Sequence, residues 1–209
     1  MADRAAALSG VYAVTQPRAD LEAAVAAVLR GGVRVVQYRD KGEDRQRRLD
    51  EAVALRRLCE GYGALLLVND DIGLAEAAAA HGVHLGREDG AVAEARQRLG
   101  EGAWIGASCY DDLDRARRLA ADGADYVAFG SIYPSPTKPD AHLAPMGLLT
   151  RGREATGRPT VAIGGIDASN IGEVAAAGAD AAAVVSALFG AEEPEAAARR
   201  LVAEWRRSR

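Results

Sequence analysis

Eight short apolar runs punctuate the 209 residues, and a segment with helical spacing of apolar residues follows each one. The runs fall at 11–15, 33–39, 64–69, 83–86, 104–108, 126–130, 160–164 and 182–186, each bounded by Gly, Pro, Asp or Asn. The helical segments fall at 21–30, 44–62, 72–80, 92–99, 113–121, 146–156, 168–177 and 194–207. Strands that are nearly continuous Val, Ile, Leu or Ala fit burial on both faces, which is what a parallel sheet under helices demands. Strand and helix in strict alternation therefore predict βα units on a parallel sheet. Eight units with no linker or composition shift between them favour one closed (β/α)8 barrel, of the TIM-barrel class, over residues 1–209; an open doubly wound sheet is the alternative.

The punctuation agrees with that reading. Gly31-Gly32, Gly63, Gly82, Gly123 and Gly178 stand where a helix would end in a left-handed residue, and Asp20 and Asp44 stand where one would be capped. Asp71 is read as a further helix cap. The phrase Ala-Gly-Ala-Asp at 177–180 echoes Asp-Gly-Ala-Asp at 122–125, as quasi-repeated units would.

Composition narrows the function. With 49% hydrophobic and 27% charged residues the chain can bury a core, and a net charge of −4 without a basic block beyond Arg206, Arg207 and Arg209 argues against nucleic acid. The apolar stretch Ala5 to Leu8 is too short for a secretion signal or a membrane span, so a cytoplasmic protein with no membrane partner is expected. Cys59 and Cys109 make no metal spacing and are expected as buried thiols. The oligomeric state stays open, a homo-oligomer included.

Residues at the carboxyl ends of barrel strands converge on one mouth. Along Gln37-Tyr38-Arg39-Asp40-Lys41 a period of two sends Gln37, Arg39 and Lys41 to one side. The third and fourth strands run into Asn69-Asp70-Asp71 and Arg87-Glu88-Asp89, which offers Asp70 and Asp89 as oxygen ligands for Mg²⁺. His84, in mid-strand, is read as a packed histidine rather than a ligand. Ser108 closes the fifth strand. The sixth opens into Tyr133-Pro134-Ser135-Pro136-Thr137-Lys138, whose hydroxyls, amides and ammonium suit a phosphate. Gly164-Gly165 after the seventh strand and Val185-Ser186 after the eighth occupy the positions where barrels often hold phosphate. Two anion sites flanking a metal imply phosphorylated small-molecule substrates, with pyrophosphate as a leaving group.

These motifs together, in order and over essentially the whole chain, resemble the thiamine phosphate synthase family. The resemblance implies a Mg²⁺-dependent transferase that joins 4-amino-2-methyl-5-(diphosphomethyl)pyrimidine to a 4-methyl-5-(2-phosphoethyl)thiazole, or its carboxylated precursor, through a dissociative loss of pyrophosphate. It implies that Gln37, Arg39, Lys41, Asn69, Ser108 and Lys138, with Tyr38 and Asp40 in the same motif, hold the pyrimidine diphosphate. Of these, Arg39, Lys41, Ser108 and Lys138 would act in catalysis, and Asp70 and Asp89 would ligate Mg²⁺. Ser135, Pro136, Thr137, Gly165, Val185 and Ser186 would hold the thiazole phosphate. The departures are Ser135 where the family often has Thr and Arg87 where Gln is commoner; the loop 139–145 would serve as a lid. Two rivals share the barrel: a thiazole tautomerase-like isomerase, disfavoured by the full set of cations and carboxylates, and a non-catalytic phosphate-ligand sensor.

Overall fold

In the computed structural model, residues 7–87, 91–135 and 142–209 are described. Eight parallel strands close into a barrel in sequence order: β1 (Gly10–Val14), β2 (Val35–Tyr38), β3 (Leu65–Asn69), β4 (Gly82–Leu85), β5 (Trp104–Tyr110), β6 (Tyr126–Phe129), β7 (Thr160–Ile163) and β8 (Ala181–Val184). Closure is made by β8 on β1, with Gly10 opposite Ala181 and Ala13 opposite Val184. The helices among the described residues are α1 (Leu21–Arg30), α2 (Arg45–Gly61), α3 (Ile72–Ala77), α4 (Val92–Leu99), α5 (Leu113–Ala121), α6 (Leu148–Thr156), α7 (Ile171–Ala176), α8 (Ser186–Phe189) and α9 (Pro194–Arg207).

Alternation along each strand divides the core in two. One set of side chains, among them Val36, Leu66, Val83, Ile105, Val127, Ala162 and Val184, points out and packs under the helices. The other set, including Tyr12, Val35, Leu67, Trp104, Tyr126, Val161 and Ala183, fills the barrel interior. In α1 the buried residues are Leu21, Ala24, Val25, Val28 and Leu29, the spacing of a single helical face against a sheet. Each fully buried Leu of the outer layer, such as Leu66 or Leu149, contributes about 1.5–3 kcal/mol. Both cysteines are buried and free, as expected.

Several local expectations need correction. Val185-Ser186 reads as the end of a strand, yet β8 stops at Val184 and Ser186 opens the extra helix α8. Asp20 caps nothing with its side chain, because the carboxylate is taken by Arg18 at 2.6 and 2.8 Å; Asp44 and Asp71 do cap, accepting from Arg47 N and Leu74 N. Gly31 is right-handed and Gly82 lies inside β4, so of the expected stops Gly32, Gly63, Gly123 and Gly178 have positive φ, and Gly100 and Gly157, which end α4 and α6, join them. No described helix is long and apolar enough to cross a membrane.

Candidate active site at the carboxyl rim

The rim over β2 and β3 carries the charge. Thr15, just past β1, accepts a hydrogen bond from Arg39 N at 2.9 Å and donates its own N–H to Gln37 O, so the exit of β2 is tied to its neighbour. Beyond it, Lys41 Nζ lies 3.3 Å from Asp70 Oδ2, and Asn69 Nδ2 donates to the same oxygen at 2.5 Å. Lys41, Asn69 and Asp70 line a cavity of about 230 Å³ together with Asp40, Arg48 and Asp71. The Lys41 side chain is 63% exposed. An ion pair so open to water is worth only about 0–1 kcal/mol, so Lys41 can exchange Asp70 for an incoming phosphate oxygen at little cost.

Asp70 sits at φ 65°, one of three non-glycine residues with positive φ in the described structure. Asp and Asn tolerate this left-handed region better than other residues. The strand thus ends in a turn that lifts the carboxylate towards Lys41 while Asp71 turns back, capping α3 and pairing with Arg48 at 3.0 Å. A half-buried carboxylate at the edge of a cavity suits Mg²⁺, which takes one or two carboxylates and completes its shell with phosphate and water. Asp89, the expected second ligand, lies outside the described residues, as do Pro136, Thr137, Lys138 and part of the loop 139–145.

Two residues of the β2 motif serve the scaffold instead. Tyr38 is the correction: it is 1% exposed, faces the helix layer and donates its hydroxyl to Glu51 at 2.6 Å. Burial, reinforced by Glu51, pushes its phenol pKa up, so it stays protonated. Asp40 borders the cavity, but Oδ1 accepts from Gly42 N at 2.6 Å and Oδ2 from Arg47 at 2.8 Å. The Arg47 hydrogen bond holds the Asp40 carboxyl below the usual carboxylate range despite its burial. It is a loop anchor, and as an anion it would repel a phosphate. Among the described residues Arg39 forms no ion pair. It is therefore available for an anion.

Around the ring, Gln37 and His84 are buried and Ser108 is half-buried. His84 lies between Ser108 Oγ, 2.9 Å from Nε2, and the Tyr126 hydroxyl, 2.8 Å from Nδ1. Burial pulls its pKa down to about 4, against an opposing pull from Asp70, so the ring is neutral near pH 7. Arg115 braces this side, donating to Ser108 O at 2.8 Å and Gly86 O at 3.0 Å, and β5 carries a register shift between Ser108 and Tyr110. Arg48, Arg115, Tyr12 and Tyr126 were not signalled by motif. Tyr12 and Tyr126 are 114 residues apart and Arg48 is 23 from Asp71, too far for any spacing to show the contact, and Arg115 reaches backbone oxygens, which leave no mark in the sequence.

The opposite rim is made of backbone. The segment after β6 is laid along the end of β7 by Ile132 N to Ile163 O at 2.9 Å and Tyr133 N to Gly164 O at 3.0 Å. Gly165, at φ 61°, touches that segment so closely that a Cβ would come within 2.4 Å of Pro134 O. Ser135, half-buried, sits at the end of this segment. Val185 and Ser186 open α8, whose first amides have no partner within the helix. A wider cavity of about 500 Å³ bordered by Asp111, Asp112, Leu113, Asp114, Arg117 and Arg151 lies at the start of α5. None of the residues expected to bind substrate lines it.

A (β/α)8 barrel whose rim joins cations and a carboxylate on one side to a glycine turn and an extra short helix on the other is an enzyme of the phosphate-handling class. Residues 11–188 match the family model described as thiamine monophosphate synthase. The chain is 79% identical over 202 residues to thiamine-phosphate synthase of Halorhodospira halophila, covering 97% of each chain. It is 56% identical over 200 residues to the protein of that name in Thioalkalivibrio sulfidiphilus, covering 94% of this chain and 95% of the other. A solved structure of thiamine phosphate pyrophosphorylase from Pyrococcus furiosus superposes with a TM-score of 0.89 at 32% identity, covering 99% of both chains. The chain belongs to the thiamine monophosphate synthase family, and it is a transferase.

Proposed function

We propose that this chain, acting as one catalytic barrel over residues 1–209, joins 4-amino-2-methyl-5-(diphosphomethyl)pyrimidine to a thiazole phosphate, giving thiamine phosphate and pyrophosphate. The observation that carries this reading is Lys41 and Asn69 gathered on Asp70 at one cavity, with the left-handed Gly165 and the start of α8 on the other side of the rim. Lys41, Arg39 and Asn69 bind and orient the diphosphate, and Ser108 and Gln37 reach the same substrate from the neighbouring wall. Ser135, Gly165, Val185 and Ser186 hold the thiazole phosphate, in part through backbone N–H groups. Lys138, Pro136, Thr137 and Asp89 complete the two sets in the family pattern.

Asp70, with Asp89, would hold Mg²⁺, which when bound draws negative charge from the diphosphate and helps it depart. Arg39 and Lys41, once they hold the diphosphate, place positive charge where the leaving group gains negative charge, and that is their main catalytic contribution. The thiazole nitrogen then captures the pyrimidine carbon. No general base is required. We place the enzyme in the cytoplasm. Pyrophosphate release with both substrates and Mg²⁺ tests the reading: release in step with thiamine phosphate is expected, and its absence overturns it.

A further inference from the structure

Five polar side chains form an unbroken chain across the barrel interior. Gln37 Nε2 lies 2.8 Å from the Tyr12 hydroxyl, Tyr12 is 2.9 Å from the Tyr126 hydroxyl, Tyr126 is 2.8 Å from His84 Nδ1, and His84 Nε2 is 2.9 Å from Ser108 Oγ. Tyr12 and Tyr126 are 1% and 0% exposed, and Gln37 and His84 are 4% and 8% exposed. Burying so many polar groups is costly unless every one finds a partner, and apolar side chains could fill the same space. The barrel is even cut to receive the chain: a Cβ on Gly106 would fall 1.9 Å from the Tyr126 ring. Stability alone does not account for it. Both ends, Gln37 and Ser108, belong to the substrate side chains proposed above.

The number of hydrogens sets a direction. The Tyr12–Tyr126 contact allows either hydroxyl to donate, but Gln37 donates from Nε2 to the Tyr12 oxygen, and if each hydroxyl hydrogen is used within the relay the Tyr12 hydrogen goes to Tyr126. Tyr126 then spends its own on His84 Nδ1. A neutral imidazole that accepts at Nδ1 carries its hydrogen on Nε2. That hydrogen faces Ser108 Oγ.

We infer that His84 is a positioning residue: the relay fixes its Nε2–H tautomer, which occupies a Ser108 lone pair and leaves the serine hydroxyl to donate its hydrogen into the mouth. A hydroxyl presented as a donor suits a diphosphate, whose oxygens only accept. The inference rests on the proposed role of Ser108. The reverse polarity would put the hydrogen on Nδ1 and turn the Ser108 hydroxyl inward.

The test is ¹⁵N NMR of histidine-labelled protein, with the His84 signals assigned by their loss in His84→Gln. The Nε2–H form is expected in the wild type, with the Nδ1–H form becoming populated in Tyr126→Phe. A wild-type Nδ1–H form, or a Tyr126→Phe spectrum with unchanged tautomer, overturns the inference. Kinetics supply the second readout. His84→Ala should lower kcat about tenfold or more with a smaller change in KM, since a misplaced group can cost up to about a hundredfold. His84→Gln, whose amide keeps an N–H near the Nε2 position, should recover most of that loss; a Gln variant as slow as Ala also overturns it. If the wild type released no pyrophosphate, the proposed reaction would fail while the tautomer spectrum still decided the relay.

Discussion

In the proposed reading the two halves of the rim solve the same problem, holding a phosphate, with different materials. Over β2 and β3 the contacts are side chains: Lys41, Asn69 and Asp70 meet on one carboxylate oxygen. Over β7 and β8 they are backbone: a left-handed Gly165 pressed against Pro134 O and the opening amides of α8. The first half depends on residue identity and charge. The second depends on the shape of the main chain, where a side chain is either irrelevant or intrusive.

Experiments that separate the halves follow from this contrast. Omission of Mg²⁺, by chelation, is expected to abolish turnover; full turnover in chelator would remove the metal from the account. Lys41→Ala should lower kcat by about 10²–10³, the cost of losing one oriented charge donor, with the circular dichroism spectrum unchanged. Activity within a few-fold of wild type would dissolve the side-chain half of the comparison. On the backbone side, Gly165→Ala should raise KM for the thiazole phosphate and cost about 1–3 kcal/mol of stability, because the new methyl overlaps Pro134 O and the φ is unfavourable. Ser186→Ala keeps its amide, and steady-state kinetics should find it within about tenfold of wild type, the effect of a single neutral hydrogen bond. A larger loss would make that half a side-chain site as well.

The smallest effect concerns the anchor beneath the charged half. Asp40 is ionised in the fold below the ordinary carboxylate pKa, held there by Arg47, so its contribution is present above the unfolded-state pKa and disappears as pH falls through the folded one. Asp40→Asn should therefore cost about 1–3 kcal/mol near neutral pH. Urea titrations should show the deficit shrinking below about pH 4. A deficit that persisted unchanged in acid would deny the pair its role.

The same contrast explains what could be read from the sequence. Apolar runs and helical spacing are local, so all eight βα units and the closed barrel were legible, and period two correctly set Gln37 apart from Tyr38. Assigning Tyr38 to the substrate on the strength of its motif overrode that parity, and the structure puts it against Glu51. Helix α8 was hidden because Val184, Val185 and Ala187 continue an apolar run with no stop signal. The backbone half of the site has no side-chain signature apart from its glycines. The relay was invisible for a different reason: Tyr12, Gln37, His84, Ser108 and Tyr126 come from five strands, and only closure of the barrel makes them neighbours.

The charged half is tested most directly by Asp70→Asn, since asparagine also accepts the left-handed backbone at this position and removes only the charge. In a single-turnover experiment with both substrates and Mg²⁺, the variant should release pyrophosphate at least about a hundredfold more slowly than wild type. Release at the wild-type rate would contradict the claim that this rim carries the departing diphosphate.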